Sequence, residues 1–409
     1  MWHMILRGLL GLLFLGLAVS PGSAQSKLKG RTGGGAFFRI VVPTDWNGDL
    51  ILFNHGLKLT VGPNPSLGPL SEIQLAEGFA VAASSFQQIG WALFKTKNDL
   101  QHLYSKFVSR FGTPNRVWVI GESLGGIVAA QVIEEASIGN VVAAYNYCGA
   151  VGGSRNWDIA IDLRLVYDAV CGEVPGAFIP GGAEGLPARS SLTDMDIAFA
   201  VNACTGVLTP PGLRTPEQTE RLARILAETN IPVNFLVNDM VFATVVMSDL
   251  VHDRGKLGNI GTRNDTVTYD DPVIDATIER ISPNPGAENR LERHYTPSGK
   301  IGKVKIVDIH TDKDGLVVVE NESEYASTVP ARNLTTAIVV EDVPTHCGFS
   351  DPEVVAGWES LRAWVGGAPQ PTATSIQGMC QALSPVFPGP CRFDPNFIVP
   401  DMDTRVPPR

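Results

Sequence analysis

A chain of 409 residues with 44% hydrophobic and 18% charged positions can bury a sizeable core, which excludes a disordered or low-complexity protein. Its formal charge of -10 argues against a nucleic-acid partner, which calls for a basic stripe, and against electrostatic attachment to anionic membranes. The length allows two or three domains of roughly 150 residues, or one large α/β unit carrying an insertion.

The chain opens on a processing signal. Arg7 supplies a positive charge, Gly8 to Val19 is a Leu-rich apolar run, and Gly22-Ser23-Ala24 offers the small residues a signal peptidase reads. The run is shorter than the roughly 20 residues a spanning helix needs. Residues 1–24 therefore read as a signal peptide, with the mature chain exported to a periplasmic or extracellular space and not inserted in the membrane. The six cysteines, Cys148, Cys171, Cys204, Cys347, Cys380 and Cys391, all follow that point. An even number in an exported protein predicts three disulfides, and Cys380 with Cys391 is the expected pair in a Pro-rich tail that needs a staple. None has the close spacing of a zinc site. Sequons at Asn264, Asn321 and Asn333 would matter only in a eukaryotic host.

Strands are expected at Ala36 to Pro43, Asp49 to Asn54 and Gly78 to Ser84. Leu100, Leu103, Tyr104, Phe107, Val108 and Phe111 then recur at helical spacing. Val117 to Ile120 is a strand, Ile127 to Ala136 a helix, and Val141 to Tyr147 a strand. Apolar strands alternating with helices imply a mostly parallel sheet covered on both faces, an α/β fold. From residue 153 to about 300 the alternation stops. Glu217 to Glu228 and the apolar Asn234 to Val251 read as helices there. The rhythm resumes with strands at Val304 to Ile309 and Ala337 to Val340. A closing helix follows, with Asp351 as N-cap, Pro352 at its first position, and Val354, Trp358, Leu361 and Val365 on its apolar face. The expected division is 1–24 signal, 25–152 first core part, 153–300 cap insertion, 301–366 second core part, and 367–409 a Pro-rich tail packed on the surface.

The chemistry concentrates at Gly121-Glu122-Ser123-Leu124-Gly125, directly after a predicted strand and opening a helix. A serine hydroxyl is a weak nucleophile until a base takes its proton. The Gly-x-Ser-x-Gly turn presents it on a sharp strand-to-helix bend where side chains at either flank would collide. An oxyanion formed by attack on a carbonyl needs N–H donors. The backbone of Leu124 offers one, and that of Leu57, in Asn54-His55-Gly56-Leu57, the other. His55 reads as a structural hydrogen-bonder. Of seven histidines, His346 follows the last core strand and is the expected base, while His310 ends a strand and faces the core. The acid should lie between serine and histidine in chain order, where Asp312 and Asp314 both occur; Asp314, directly before Gly315-Leu316-Val317, is favoured, with Asp312 as a turn-capping residue.

With Pro43-Thr44-Asp45-Trp46-Asn47-Gly48, Asn54-His55-Gly56, Gly121 to Gly125, Asp314 to Val317 and His346-Cys347-Gly348-Phe349, the chain resembles serine esterases and lipases of the α/β-hydrolase superfamily. The resemblance spans residues 36 to 366 apart from the insertion. It implies Ser123 as nucleophile, Asp314 as acid and His346 as base, no metal or organic cofactor, and a small-molecule or polymeric ester as substrate. Oligomeric state stays open. A serine peptidase on the same fold is the alternative within this class, and a non-catalytic binding protein the alternative outside it. Within the insertion, Phe235, Leu236, Met240, Val241, Phe242, Val245, Val246 and Met247 are expected either to line an apolar pocket or to pack the cap onto the core.

Overall fold

A computed structural model describes residues 25–135 and 138–409 of the chain; the expected signal peptide, residues 1–24, lies outside the described residues. Eight strands form one sheet in the order β1-β2-β4-β3-β5-β6-β7-β8. They are β1 (Ser26–Arg31), β2 (Phe37–Val42), β3 (Asp49–Asn54), β4 (Ala80–Ser84), β5 (Arg116–Glu122), β6 (Val141–Tyr147), β7 (Lys305–Thr311) and β8 (Leu334–Val339). Pairing is antiparallel for β1 with β2 and for β2 with β4, and parallel throughout the rest. The predicted spans of β3 and β6 coincide with the observed ones. β1 was not expected: its sequence SKLKGR shows no apolar face because it is an exposed edge, where lysines discourage further pairing.

Strand side chains alternate between two apolar layers. Leu50, Leu52, Val117 and Val119 face one layer with helices α2 (Leu93–Phe111) and α3 (Leu124–Glu134). Ile51, Phe53, Trp118 and Ile120 face the other, with α12 (Asp351–Val365) and α13 (Ala373–Leu383). Helix α1 (Ser71–Ala76) packs at β4. Helix α2 starts two turns before the predicted periodic stretch, because Leu93 and Phe94 also pack inward. Parallel strands with helices on both faces, in this order, make the α/β-hydrolase fold.

Between β6 and β7 the chain forms α4 (Arg155–Cys171), α5 (Asp194–Thr205), α6 (Pro216–Thr229), α7 (Leu236–Val241), α8 (Met247–His252), α9 (Pro272–Thr277) and α10 (Pro285–Arg293), with no strand among the described residues. The helix expected over 234–251 is interrupted by a π-helical segment, Phe242–Val246, whose wider turn re-aims the side chains that follow. Disulfide Cys171–Cys204 ties the ends of α4 and α5. The insertion is fastened to the core by Lys256, a fully buried ammonium that pairs with Asp249 and donates to the Ile89 carbonyl at 2.7 Å.

The tail is more than a surface wrap. Ile376 and Cys380 of α13 are fully buried, and Phe393 bridges to Val339 at the edge of β8. The Cys380–Cys391 disulfide is present, and Cys148–Cys347 completes the set of three. All three sequon asparagines are buried, with their amide nitrogens donating: Asn264 to Glu279, Asn321 to Val318 and Asn333 to Val304. A glycan at any of them would require local unfolding.

Candidate active site

The turn from β5 into α3 carries Ser123 at φ 53°, a left-handed conformation that a serine adopts only under constraint. The constraint comes from both flanks. A Cβ on Gly121 would sit 2.3 Å from the Gly125 carbonyl oxygen, and one on Gly125 would sit 2.0 Å from that of Asn54. Helix and strand can approach this closely only as glycines. Cys148 and Cys347 also have positive φ, so unfavourable backbone clusters around the serine.

The structure brings three sequence-remote side chains together. His346 Nε2 lies 2.9 Å from Ser123 Oγ, and His346 Nδ1 lies 2.7 Å from Asp314 Oδ2. An ionised carboxylate only accepts, so Nδ1 carries the proton and donates to it; Nε2 is then free to accept from the serine hydroxyl. The second oxygen of Asp314 accepts from the backbone N–H groups of Leu316 and Val317, both at 3.0 Å, and the carboxylate is almost fully buried. Asp312 is elsewhere, accepting from the Glu341 amide at 2.8 Å and so tying the loop after β7 to the end of β8.

The loop that carries His346 is held from several sides. Glu341 accepts from the amide and hydroxyl of Thr345, and Lys313 donates to the Glu341 carbonyl. Arg392 of the tail donates to the Gly348 carbonyl at 2.7 Å while paired with buried Glu353. Cys347, adjacent to the histidine, is bonded to Cys148 at the end of β6. Cys148, Cys347 and His346 have ligand atoms close enough together for a metal, but both sulfurs are used in the disulfide, leaving one nitrogen.

Above the serine runs the Asn54–Leu57 segment, where a Cβ on Gly56 would come within 3.1 Å of Ser123 Cβ. Leu57 and Leu124 line the same cavity as Ser123, and Leu124 is the first residue of α3, where backbone N–H groups have no helical acceptor. His55 donates from Nδ1 to the Gly56 carbonyl at 2.6 Å and packs on Phe86, and burial holds its imidazole below the usual value. Neighbouring Glu122 is pushed up by burial, against the opposing charges of Lys58 and His346.

The cavity measures about 340 Å³ and is mostly apolar, with Leu57, Leu59, Trp91, Val241, Phe242 and Val246 in its wall beside the polar Asn156, Asp194 and Asn238. Of the eight insertion residues expected to line a pocket or pack the cap, Val241, Phe242 and Val246 do line it. Phe235, Leu236, Met240 and Met247 are buried in the core instead, and Val245 packs against that core. Past Phe242 the π segment shifts the cavity face by one residue, so that Val246 lines the cavity and Val245 does not.

Two buried groups stand near the site: His310, which faces the core as expected, and Asp239, which the sequence did not single out. His310 lies directly behind Asp314. Asp239 of α7 is buried, and among the described residues neither of its carboxyl oxygens has a hydrogen-bond partner. Burial, then the charge of Asp314, push its carboxyl well above the ordinary range. The folded protein thus keeps a proton that the unfolded chain releases near its ordinary pKa of about 3.9, so stability falls as pH rises from there toward the folded value. Asp239→Asn is expected to melt about 2–5 °C above the wild type at pH 8, with the difference vanishing near pH 4. Thermal scans across that range check it; a variant less stable than wild type at pH 8 contradicts it.

No family model matches the chain. A stretch of 106 residues, 25% of the chain, is 32% identical to the o-phthalyl amidase of Xanthobacter agilis; the chain spans 23% of the length of this curated relative. Among solved structures, an esterase of Pyrococcus furiosus is 14% identical, with a TM-score of 0.38, covering 79% of this chain and 83% of its own. An esterase of a Rhodococcus species is 14% identical, with a TM-score of 0.39, covering 84% and 99%. Candida antarctica lipase A in its closed state is 10% identical, with a TM-score of 0.41, covering 88% and 86%.

Proposed function

We propose that this protein is a secreted serine hydrolase that cleaves carboxylic esters through an acyl-enzyme. The observation that carries the reading is the His346 imidazole, hydrogen-bonded to Ser123 on one side and to Asp314 on the other. Ser123 Oγ attacks the ester carbonyl carbon as His346 Nε2 takes its proton. Asp314 stabilises the imidazolium without itself taking the proton. The N–H groups of Leu124 and Leu57 hold the oxyanion. Collapse of the tetrahedral intermediate expels the alcohol, which receives the proton from His346. A water, deprotonated by the same nitrogen, then attacks the acyl-Ser123 carbonyl, and the acid leaves as Ser123 is regenerated.

The insertion, residues 153–300, acts as a cap that excludes water and shapes the acyl or alcohol subsite. The three disulfides support export, and among the described residues no helix is long and apolar enough to cross a membrane. A second reading, hydrolysis of an amide by the same residues, is favoured by the stretch shared with an amidase.

A panel of p-nitrophenyl esters of graded acyl length, beside matched anilides, tests the reading. Esters should be turned over at the expense of anilides, and anilides preferred over esters would favour the second reading. Val241→Asp should lower kcat/KM for long acyl chains relative to acetate by about tenfold, because a carboxylate in the apolar wall opposes burial of methylenes. An unchanged chain-length ratio in a folded variant removes Val241 from the substrate site.

A further inference from the structure

His310, at the end of β7, is fully buried. Its Nδ1 lies 2.9 Å from Glu322 Oε1, on α11 (Asn321–Thr328), and its Nε2 lies 2.7 Å from the Val317 carbonyl oxygen. A carbonyl oxygen can only accept, and so can an ionised carboxylate. Both ring nitrogens must therefore carry hydrogens if Glu322 is ionised, making His310 an imidazolium. The same ring stands with Nε2 3.8 Å from Asp314 Oδ2, the oxygen that accepts from His346.

We propose that His310 is a positioning residue for hydrolysis: a buried imidazolium, paired with Glu322, that fixes the Asp314 turn and stabilises the Asp314 carboxylate from behind. The proposal rests on Ser123, His346 and Asp314 acting as a triad. Two effects follow from the geometry. Val317 receives the His310 hydrogen bond at its carbonyl while its amide donates to Asp314 Oδ1, so the ring locks the turn that aims the acid. The second effect is electrostatic: the positive ring stands 3.8 Å from the Asp314 oxygen that accepts from His346 and attracts its negative charge.

Burial alone would push the His310 imidazole down; the hydrogen bond and charge of Glu322, then Asp314 and the Val317 carbonyl, hold it above its ordinary value. The groups facing His310 are Glu322 from α11 and Asp314 from the loop after β7. Beyond them lies Asp308 on β7, which accepts from Asn146 at 3.0 Å and is pushed well up by burial and by Glu322. Asp239 and Glu341 bear on Asp314 from α7 and from the end of β8. Among these groups the imidazolium is the one cation set against Asp314 from the interior.

The test uses the full chain. Nitrogen-15 NMR of the histidine rings at pH 7 should show His310 with both nitrogens protonated, and a neutral ring there overturns the proposal. In His310→Gln the acid limb of kcat/KM against pH should move upward by about half to one unit, as expected for a cation lost within roughly 8 Å, while KM changes little. A profile superimposable on the wild type overturns the proposal. Should this variant fail to fold, the NMR result on the wild type decides. Ser123→Ala with undiminished activity would overturn the triad reading instead, leaving the charge state of His310 to be read independently.

Discussion

Ser123→Ala is expected to lower kcat for a p-nitrophenyl ester by roughly four to six orders of magnitude while KM stays within about threefold. The substitution removes the oxygen hydrogen-bonded to His346 Nε2 and leaves the apolar side chains of the cavity wall unchanged. What remains should come from the oxyanion donors and from binding. His346→Ala should lose a similar factor, and the double variant no more than either single one, because the two residues act in the same step. Asp314→Asn should fall less far in structure than in rate, since the amide can still bond Nδ1 but favours the wrong tautomer. Steady-state kinetics on folded variants check all of these. Activity retained by Ser123→Ala would assign the chemistry to another residue.

The second large effect is expected from the Cys148–Cys347 disulfide. It closes a loop of sequence separation 199, whereas the other two close 33 and 11. Chain-entropy arguments assign about 5, about 4 and about 3 kcal/mol to loops of these sizes. Replacing both Cys148 and Cys347 by serine should therefore cost the most stability of the three, readable as a shift in the urea midpoint. Cys347 directly follows His346, and its partner stands at the end of β6, next in the sheet to β5, which leads into Ser123. Loss of the bond should thus also reduce kcat, by about tenfold or more, in protein that is still folded. Removing Cys380–Cys391 should have a smaller effect on rate, transmitted through the contacts of Pro390 with Ser350 and of Arg392 with the Gly348 carbonyl. Equal losses of rate in the two double variants would contradict this account.

The central strands were legible because β3 and β6 are buried along most of their length, and continuous burial leaves a continuous apolar run. The serine turn was legible because the close approach of Gly121 and Gly125 to backbone admits no other residue. Chain order could suggest Asp314 and His346, but the contact between residues 223 positions apart needed the folded sheet. Polar segments were opaque. β1 is an exposed edge without an apolar face, and α11, which brings Glu322 to His310, reads NESEYAST. The insertion was opaque for another reason. Its apolar helix looks uniform in sequence, and the π segment brings Val246 to the cavity where an unbroken helix would bring Val245.

If Ser123 is an activated nucleophile, a fluorophosphonate should label it covalently, a direct measure of that property. Intact-mass and peptide mapping of the native protein should show a single adduct, on the peptide carrying Ser123. Labelling should slow strongly in His346→Ala and disappear on unfolding. Folded protein that hydrolyses esters yet carries no adduct at Ser123 would contradict the account.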